Sequence, residues 1–239
     1  MLEKKSIREN FLNITERINE RCMSVGRSTD SVKLVVVTKG HPISAVKDAI
    51  KAGIEILAEN YVQEAIQKVE ACAGIENVEW HMIGHVQSRK AKFVPKYFSY
   101  LQSLDSLRLA IRLNRFAGEL GIQLPVLLEC NVSGEKSKYG WRAWEEEKWE
   151  NLLEEISPVS ELPNLEIKGI MTMPPFFENP ELARPYFQLL RRLREFLSKQ
   201  IPHINWSDLS MGMSADFEVA IEEGATMVRI GTAIMGPRN

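Results

Sequence analysis

Residues 33–42 read KLVVVTKGHP. The five residues from Leu34 to Thr38 are aliphatic or β-branched and suit a buried strand. Lys39 follows at once, then Gly40 and Pro42, so the chain leaves the interior on an ammonium. Two readings are open for that lysine. Taken alone, it is a surface charge where a strand ends. At the rim of an enclosed site, it is a nucleophile.

Outward from this strand the chain alternates. β-rich runs recur near 32–38, 54–58, 79–83, 98–102, 125–131, 166–171, 206–210 and 226–230. Helical periods lie between and before them. Ile7, Phe11, Ile14, Ile18 and Cys22 share one face of a helix over 5–25, with Gly26 as its stop. Val62, Ala65, Ile66 and Val69 form another such set. Leu109, Leu113, Phe116 and Leu120 form a third, opened by Asp105 as N-cap and closed by Gly121. Tyr186, Leu189, Leu190, Leu193 and Leu197 form a fourth. Phe217, Ala220 and Ile221 share a face over 214–223, with Ser214 as N-cap and Gly224 as stop. Residues 141–155, WRAWEEEKWENLLEE, read as an acidic amphipathic surface helix that packs some of Trp141, Trp144 and Trp149 inward.

Eight strands alternating with helices call for parallel crossovers, and 239 residues match the size of a (β/α)8 barrel. The predicted fold is α/β, a single (β/α)8 TIM barrel over residues 1–239 with an extra N-terminal helix. A doubly wound open sheet is the competitor. No G-x-G-x-x-G follows the first strand, which weakens its dinucleotide-binding form.

Composition excludes several classes. Lys+Arg number 30 and Asp+Glu 32, a net charge of −2, so there is no bulk case for nucleic acid or an anionic membrane. Cys22, Cys72 and Cys130 stand far apart, and neither a disulfide framework nor a metal site is expected. The N-terminus lacks an apolar signal region, and no apolar run reaches the length of a membrane span; a cytoplasmic protein is expected. His81 and His85 are four apart, but on a strand and loop without the glutamate of H-E-x-x-H, so each is read as a satisfied polar contact. The basic run RKAKFVPK, residues 89–96, reads as a solvated face.

In such a barrel, active sites gather at the C-terminal ends of the strands. Those ends carry Lys39, Asn60, His85, Asn131 with Lys138 beyond it, SMGMS at 210–214, and Arg229 followed by GTAIMG at 231–236. The last segment reads as a short helical turn directly after the eighth strand. Free N–H groups and the helix dipole at such turns favour an anion. Ser214 and Gly231 could each merely cap and turn. Together at adjacent strand ends they point to phosphate. A phosphate anchor and a lysine at one barrel mouth are what pyridoxal phosphate requires.

Seven segments then carry a resemblance: VVVTKGHP, AENYVQEA, WHMIGHVQSRK, NVSGEKSKYG, KGIMTMP, LSMGMSADFEVAI and MVRIGTAIMG. In order and spacing the chain resembles the pyridoxal-phosphate homeostasis protein family, whose barrel is related to the N-terminal domain of alanine racemase. The resemblance implies that Lys39 is the Schiff-base lysine and that Asn60 stands near the cofactor ring. It implies that Ser214, Gly231 and Thr232 bind the phosphate, that Arg229 faces the pyridine nitrogen, and that Lys138 is a second lysine near the cofactor. His41 stands where some relatives have a further lysine, and His85 where some have proline.

A guanidinium facing the pyridine nitrogen disfavours its protonation and makes the ring a poorer electron sink. Racemases of this type add a tyrosine base from a C-terminal β-domain, whereas this sequence stops at Asn239. The expectation is a monomeric carrier of pyridoxal 5'-phosphate rather than an enzyme, with no catalytic residue assigned. It would exchange the cofactor with free amino acids or apo-enzymes. A weak amino-acid racemase is the alternative, and a barrel enzyme on a phosphorylated sugar the more distant one.

Overall fold

The computed structural model describes residues 6–237. Parallel strands form a closed barrel. In chain order the strands are β1 (Lys33–Val37), β2 (Ile56–Glu59), β3 (Glu79–Met82), β4 (Tyr100–Leu104), β5 (Leu124–Asn131), β6 (Trp141–Arg142), β7 (Leu165–Met171), β8 (Asp208–Ser210) and β9 (Met227–Ile230). All but β6 build the ring, in the order β4-β3-β2-β1-β9-β8-β7-β5, and a β4–β5 pairing closes it. Each predicted strand is present within a few residues. The two-residue β6, paired through Trp141 to Cys130 of β5, was not expected.

The helices are α1 (Ile7–Ser24), α2 (Ile43–Lys51), α3 (Val62–Ala71), α4 (Val94–Tyr97), α5 (Leu107–Glu119), α6 (Trp149–Ser160), α7 (Arg184–Gln200), α8 (Phe217–Glu222) and α9 (Thr232–Met235). Ser6 opens α1 with a capping box closed by Glu9. The predicted start of that helix at Lys5 lies outside the described residues. Among the described residues no helix is long and apolar enough to cross a membrane.

The side-chain period of two divides the core. Val35, Val37, Ala58, Ile83, Tyr100, Leu127, Met171 and Met227 fill the barrel interior. Their neighbours, among them Val36, Leu57, Met82, Leu101, Val126, Leu128 and Ile170, pack outward against the helices. Strands such as β1 and β5 are thus apolar on both faces over most of their length, which is why they read as continuous runs. Gly169 marks the closest approach. Its φ is +154°, and a Cβ there would collide with the carbonyl oxygen of Asp208 on the adjoining β8.

Three local expectations are corrected. The N-cap of α5 is Ser106, which accepts from the Leu109 N–H at 3.4 Å, while Asp105 turns its carboxylate to His85 Nδ1 at 2.6 Å. Ser214 is not a helix cap. α8 begins at Phe217, and Asp216 accepts the Met213 N–H at 2.6 Å, so its carboxylate closes the preceding turn. Residues 141–155 are not one helix. The indole of Trp141 donates to Leu104 O at 3.1 Å and that of Trp149 to Ala143 O at 3.1 Å. Buried indoles need an acceptor, and meeting that need breaks the segment into β6, a turn and α6.

Candidate functional site

The predicted site residues sit where strand parity sends them. Lys39 continues the inward set Val35 and Val37; Asn60 continues Ala58; Arg229 and Gly231 continue Met227. All four reach the C-terminal mouth of the barrel. There Lys39, Asn60, Ser214, Arg229, Gly231 and Thr232 line one cavity of about 250 Å³. Ile83, Met173 and Phe177 supply apolar wall. This volume lies just under the ~300 Å³ lower bound for small-molecule pockets. Lys138 is not on that wall. Its ammonium donates to Met173 O at 2.9 Å and pairs with Glu135 at 2.6 Å, one residue removed from the cavity.

The backbone on either side of Lys39 is held by a buried ion group. Lys68, 3% exposed, donates to Thr38 O, Glu59 Oε1 and Glu64 Oε1, each at 2.7 Å. Glu64 in turn accepts the Gly40 N–H at 2.6 Å, and the Thr38 hydroxyl donates to Glu59 at 2.5 Å. Burial pushes the Glu59 carboxyl up, against the lowering effect of Lys68 and Thr38. Glu59 Oε2 is the one buried side-chain N or O atom without a partner among the described residues.

Arg229 is fixed just as firmly. Its guanidinium donates to Ser210 Oγ at 2.6 Å and to Thr172 O at 2.8 Å. Ser210 donates to Gln102 Oε1 at 2.7 Å, and the Gln102 amide reaches His81 Nδ1 at 2.9 Å. His81 Nε2 lies 3.4 Å from Glu79 Oε2 at the far end of the barrel. Since the amide nitrogen donates to Nδ1, the proton of the neutral imidazole is on Nε2, directed to Glu79. Burial lowers the His81 pKa and keeps the ring neutral. Burial also draws Arg229 down to about 10, still charged at neutral pH, with Asp216 and Glu129 opposing the shift. His81 is thus the satisfied polar contact expected of it, and it belongs to a chain that orients Arg229.

A second recess of about 430 Å³ adjoins the first and shares Lys39, Asn60, Ile83 and Met173 with it. Glu129, His85, Tyr139, Lys90 and Tyr61 are also on its wall. The His85 and Tyr139 rings stack at 3.8 Å and 10°. Glu129 is 4% exposed, and burial, with help from Asp105, pushes its carboxyl up to about 7. Sequence reading passed over Glu129. The signal was a carboxylate at an inward position of PVLLECN, in phase with Leu127.

The donor set fits pyridoxal phosphate. A lysine amine, a fixed guanidinium, a serine hydroxyl and the first turn of α9 meet at one apolar-walled cavity. The leading N–H groups of that turn have no intrahelical acceptor.

Comparison with known proteins gives a consistent picture. The family model described as alanine racemase, N-terminal domain, matches residues 5–239. A pyridoxal phosphate homeostasis protein of Aquifex aeolicus (strain VF5) is 41% identical, covering 96% of this chain and 97% of that protein. One from Vibrio alginolyticus is 40% identical, covering 98% of each. PipY of Synechococcus elongatus PCC7942, solved with PLP bound, superposes with a TM-score of 0.80 at 35% identity, covering 92% of this chain and all of that one. An alanine racemase of Clostridium difficile 630 has a TM-score of 0.70 at 18% identity; this chain covers 56% of it, and the likeness is one of fold.

Proposed function

The chain belongs to the alanine racemase N-terminal-domain family, and on that premise we propose that it binds pyridoxal 5'-phosphate and holds it in reserve for delivery. The observation that carries this is the meeting of Lys39, Asn60, Ser214, Arg229, Gly231 and Thr232 at one cavity. Near-full-length identity to proteins named for pyridoxal phosphate homeostasis supports holding and delivery over turnover.

When bound, the cofactor supplies an electrophilic aldehyde carbon conjugated to an electron-withdrawing ring. Lys39 is the amine that would hold that aldehyde carbon, and the Lys68 group fixes the backbone on both sides of it. Ser214 and the Gly231–Thr232 turn would take the phosphate. Arg229, tied to Ser210 and Thr172, would meet the ring nitrogen as a fixed cation and keep a proton off it. A ring held in that state withdraws less charge, which suits storage. Lys138, tethered to Met173 at the cavity's edge, is proposed as an auxiliary amine on the path of release.

The test is spectroscopic. Titration of the purified chain with pyridoxal phosphate should produce a protein-linked visible band that Lys39→Ala abolishes. A wild-type protein that stays without the band overturns the proposal. Incubation of the loaded protein with single-enantiomer amino acids tests the racemase reading: sustained racemisation, lost in Lys39→Ala, would replace storage with catalysis.

A further inference from the structure

The second recess is lined by a carboxyl whose oxygens are not fully enclosed and have no hydrogen-bond donor among the described residues. Glu129 lines it, is 4% exposed, and receives no hydrogen bond from any described residue. A buried carboxyl in that condition calls for a cation or a proton. The other carboxylate close by, Asp105, is already engaged by His85 Nδ1 at 2.6 Å and by the Ser106 hydroxyl at 2.9 Å. Arg229 acts on Glu129 through space, but its guanidinium donates to Ser210 and Thr172. Among the described residues there is no group of three or more His, Cys, Asp or Glu able to hold a metal ion. The missing partner is therefore a small organic cation or a proton.

We propose that this recess is a docking site for a small primary amine, with Glu129 taking its ammonium group. The inference rests on the reading of Lys39 as the anchor of the aldehyde. Because Lys39 and Asn60 line both cavities, an amine seated at Glu129 stands beside the nitrogen it would replace when the cofactor leaves. One proton passes from the ammonium nitrogen to the Glu129 carboxylate, which leaves a neutral amine with its lone pair free. No oxidant or reductant is involved. A carboxyl titrating near neutrality suits that transfer. The charged and titratable groups around it are Lys39 after β1, Tyr61 ahead of α3, His85 after β3, Lys90, Asp105 after β4, Tyr139 and Arg229 of β9.

The test is an NMR titration of the full-length, cofactor-free protein with ethylamine, L-alanine and acetate, about one unit below and one unit above pH 7. Both amines should saturate, more tightly at the higher pH, and Glu129→Gln should weaken them about tenfold, a charged hydrogen bond being the loss. Acetate should not saturate. The wild type carries the pH comparison by itself, so the inference does not depend on the variant folding. Failure of both amines to saturate, affinity unchanged by pH, equal affinity in Glu129→Gln, or acetate matching the amines would each overturn it. A pyridoxal phosphate titration run alongside reads the cofactor proposal separately, so either can fail alone.

Discussion

Lys68 shows how much one side chain can fix. It is a buried ammonium with three acceptors: Thr38 O directly precedes Lys39, and Glu64 in turn holds the Gly40 N–H that follows it. Lys68→Met keeps the volume but leaves Glu59 and Glu64 without their cation. Breaking one side of a buried ion group costs ~3–5 kcal/mol. Urea unfolding should show a loss of that order, and the visible band at Lys39 should weaken as residues 38–40 loosen; a variant unchanged in both would refute the role. Glu129 gives a pH prediction whose sign follows from burial. Its folded pKa is raised from 4.5 to about 7, so its contribution to stability is fully present below pH 4.5 and is lost as pH rises through about 7. The loss is limited to ~3 kcal/mol. Glu129→Gln does not titrate, so it should gain on the wild type across that window. A stability difference that stays constant with pH would show that Glu129 is not pushed up.

Among the elements, the strand ends matter most to the site, and Gly84 controls one of them. A Cβ at Gly84 would collide with the carbonyl oxygen of Asn60, where the end of β2 meets the end of β3. Gly84→Ala must displace Asn60 from the cavity wall, and overpacking of this kind costs ~1–3 kcal/mol. Cofactor affinity should fall about tenfold or more in an absorbance titration, the equivalent of ~1.4 kcal/mol. Unaltered affinity would mean that Asn60 does not bear on binding. Strands and long helices were legible in the sequence because their burial leaves a simple pattern, a nearly continuous buried run in β5 and a period near 3.6 in α7. Ends and caps were less so. Asp105 and Ser214 have the chemistry of N-caps, but Asp105 is drawn to His85, twenty residues away, and α8 starts three residues beyond Ser214, after a turn closed by Asp216. α2 is short, with Val46 and Ala49 as its buried residues, and offers little period to read. The candidate site residues could be picked out because they stand at or just beyond strand ends. The Lys68 group and Glu129 were missed because their meaning depends on which neighbours the closed barrel supplies.

For the whole molecule, the N-terminal helix links the chain's two ends around the barrel. α1 buries Ile14, Ile18 and Cys22, and packs on α8 and the short α9. Arg17 and Arg21 pair with Glu218 and Glu222 of α8. Asn10 donates to Ile234 O at 3.0 Å, a contact between residues 224 apart in sequence. That bond reaches the turn whose first residues, Gly231 and Thr232, line the cavity. Two substitutions on α1 should therefore differ in kind. Ile18→Ala removes core packing and should cost ~2–5 kcal/mol of stability. Asn10→Ala forfeits one hydrogen bond, ~1 kcal/mol, and frees the Ile234 carbonyl at the last turn of α9. Its larger effect should be on cofactor affinity, a several-fold weakening with the unfolding midpoint nearly unmoved. Parallel absorbance titration and urea unfolding of the two variants would separate these outcomes. If Asn10→Ala bound the cofactor like the wild type, α1 would be cladding for the barrel and not a brace for the turn at its cavity.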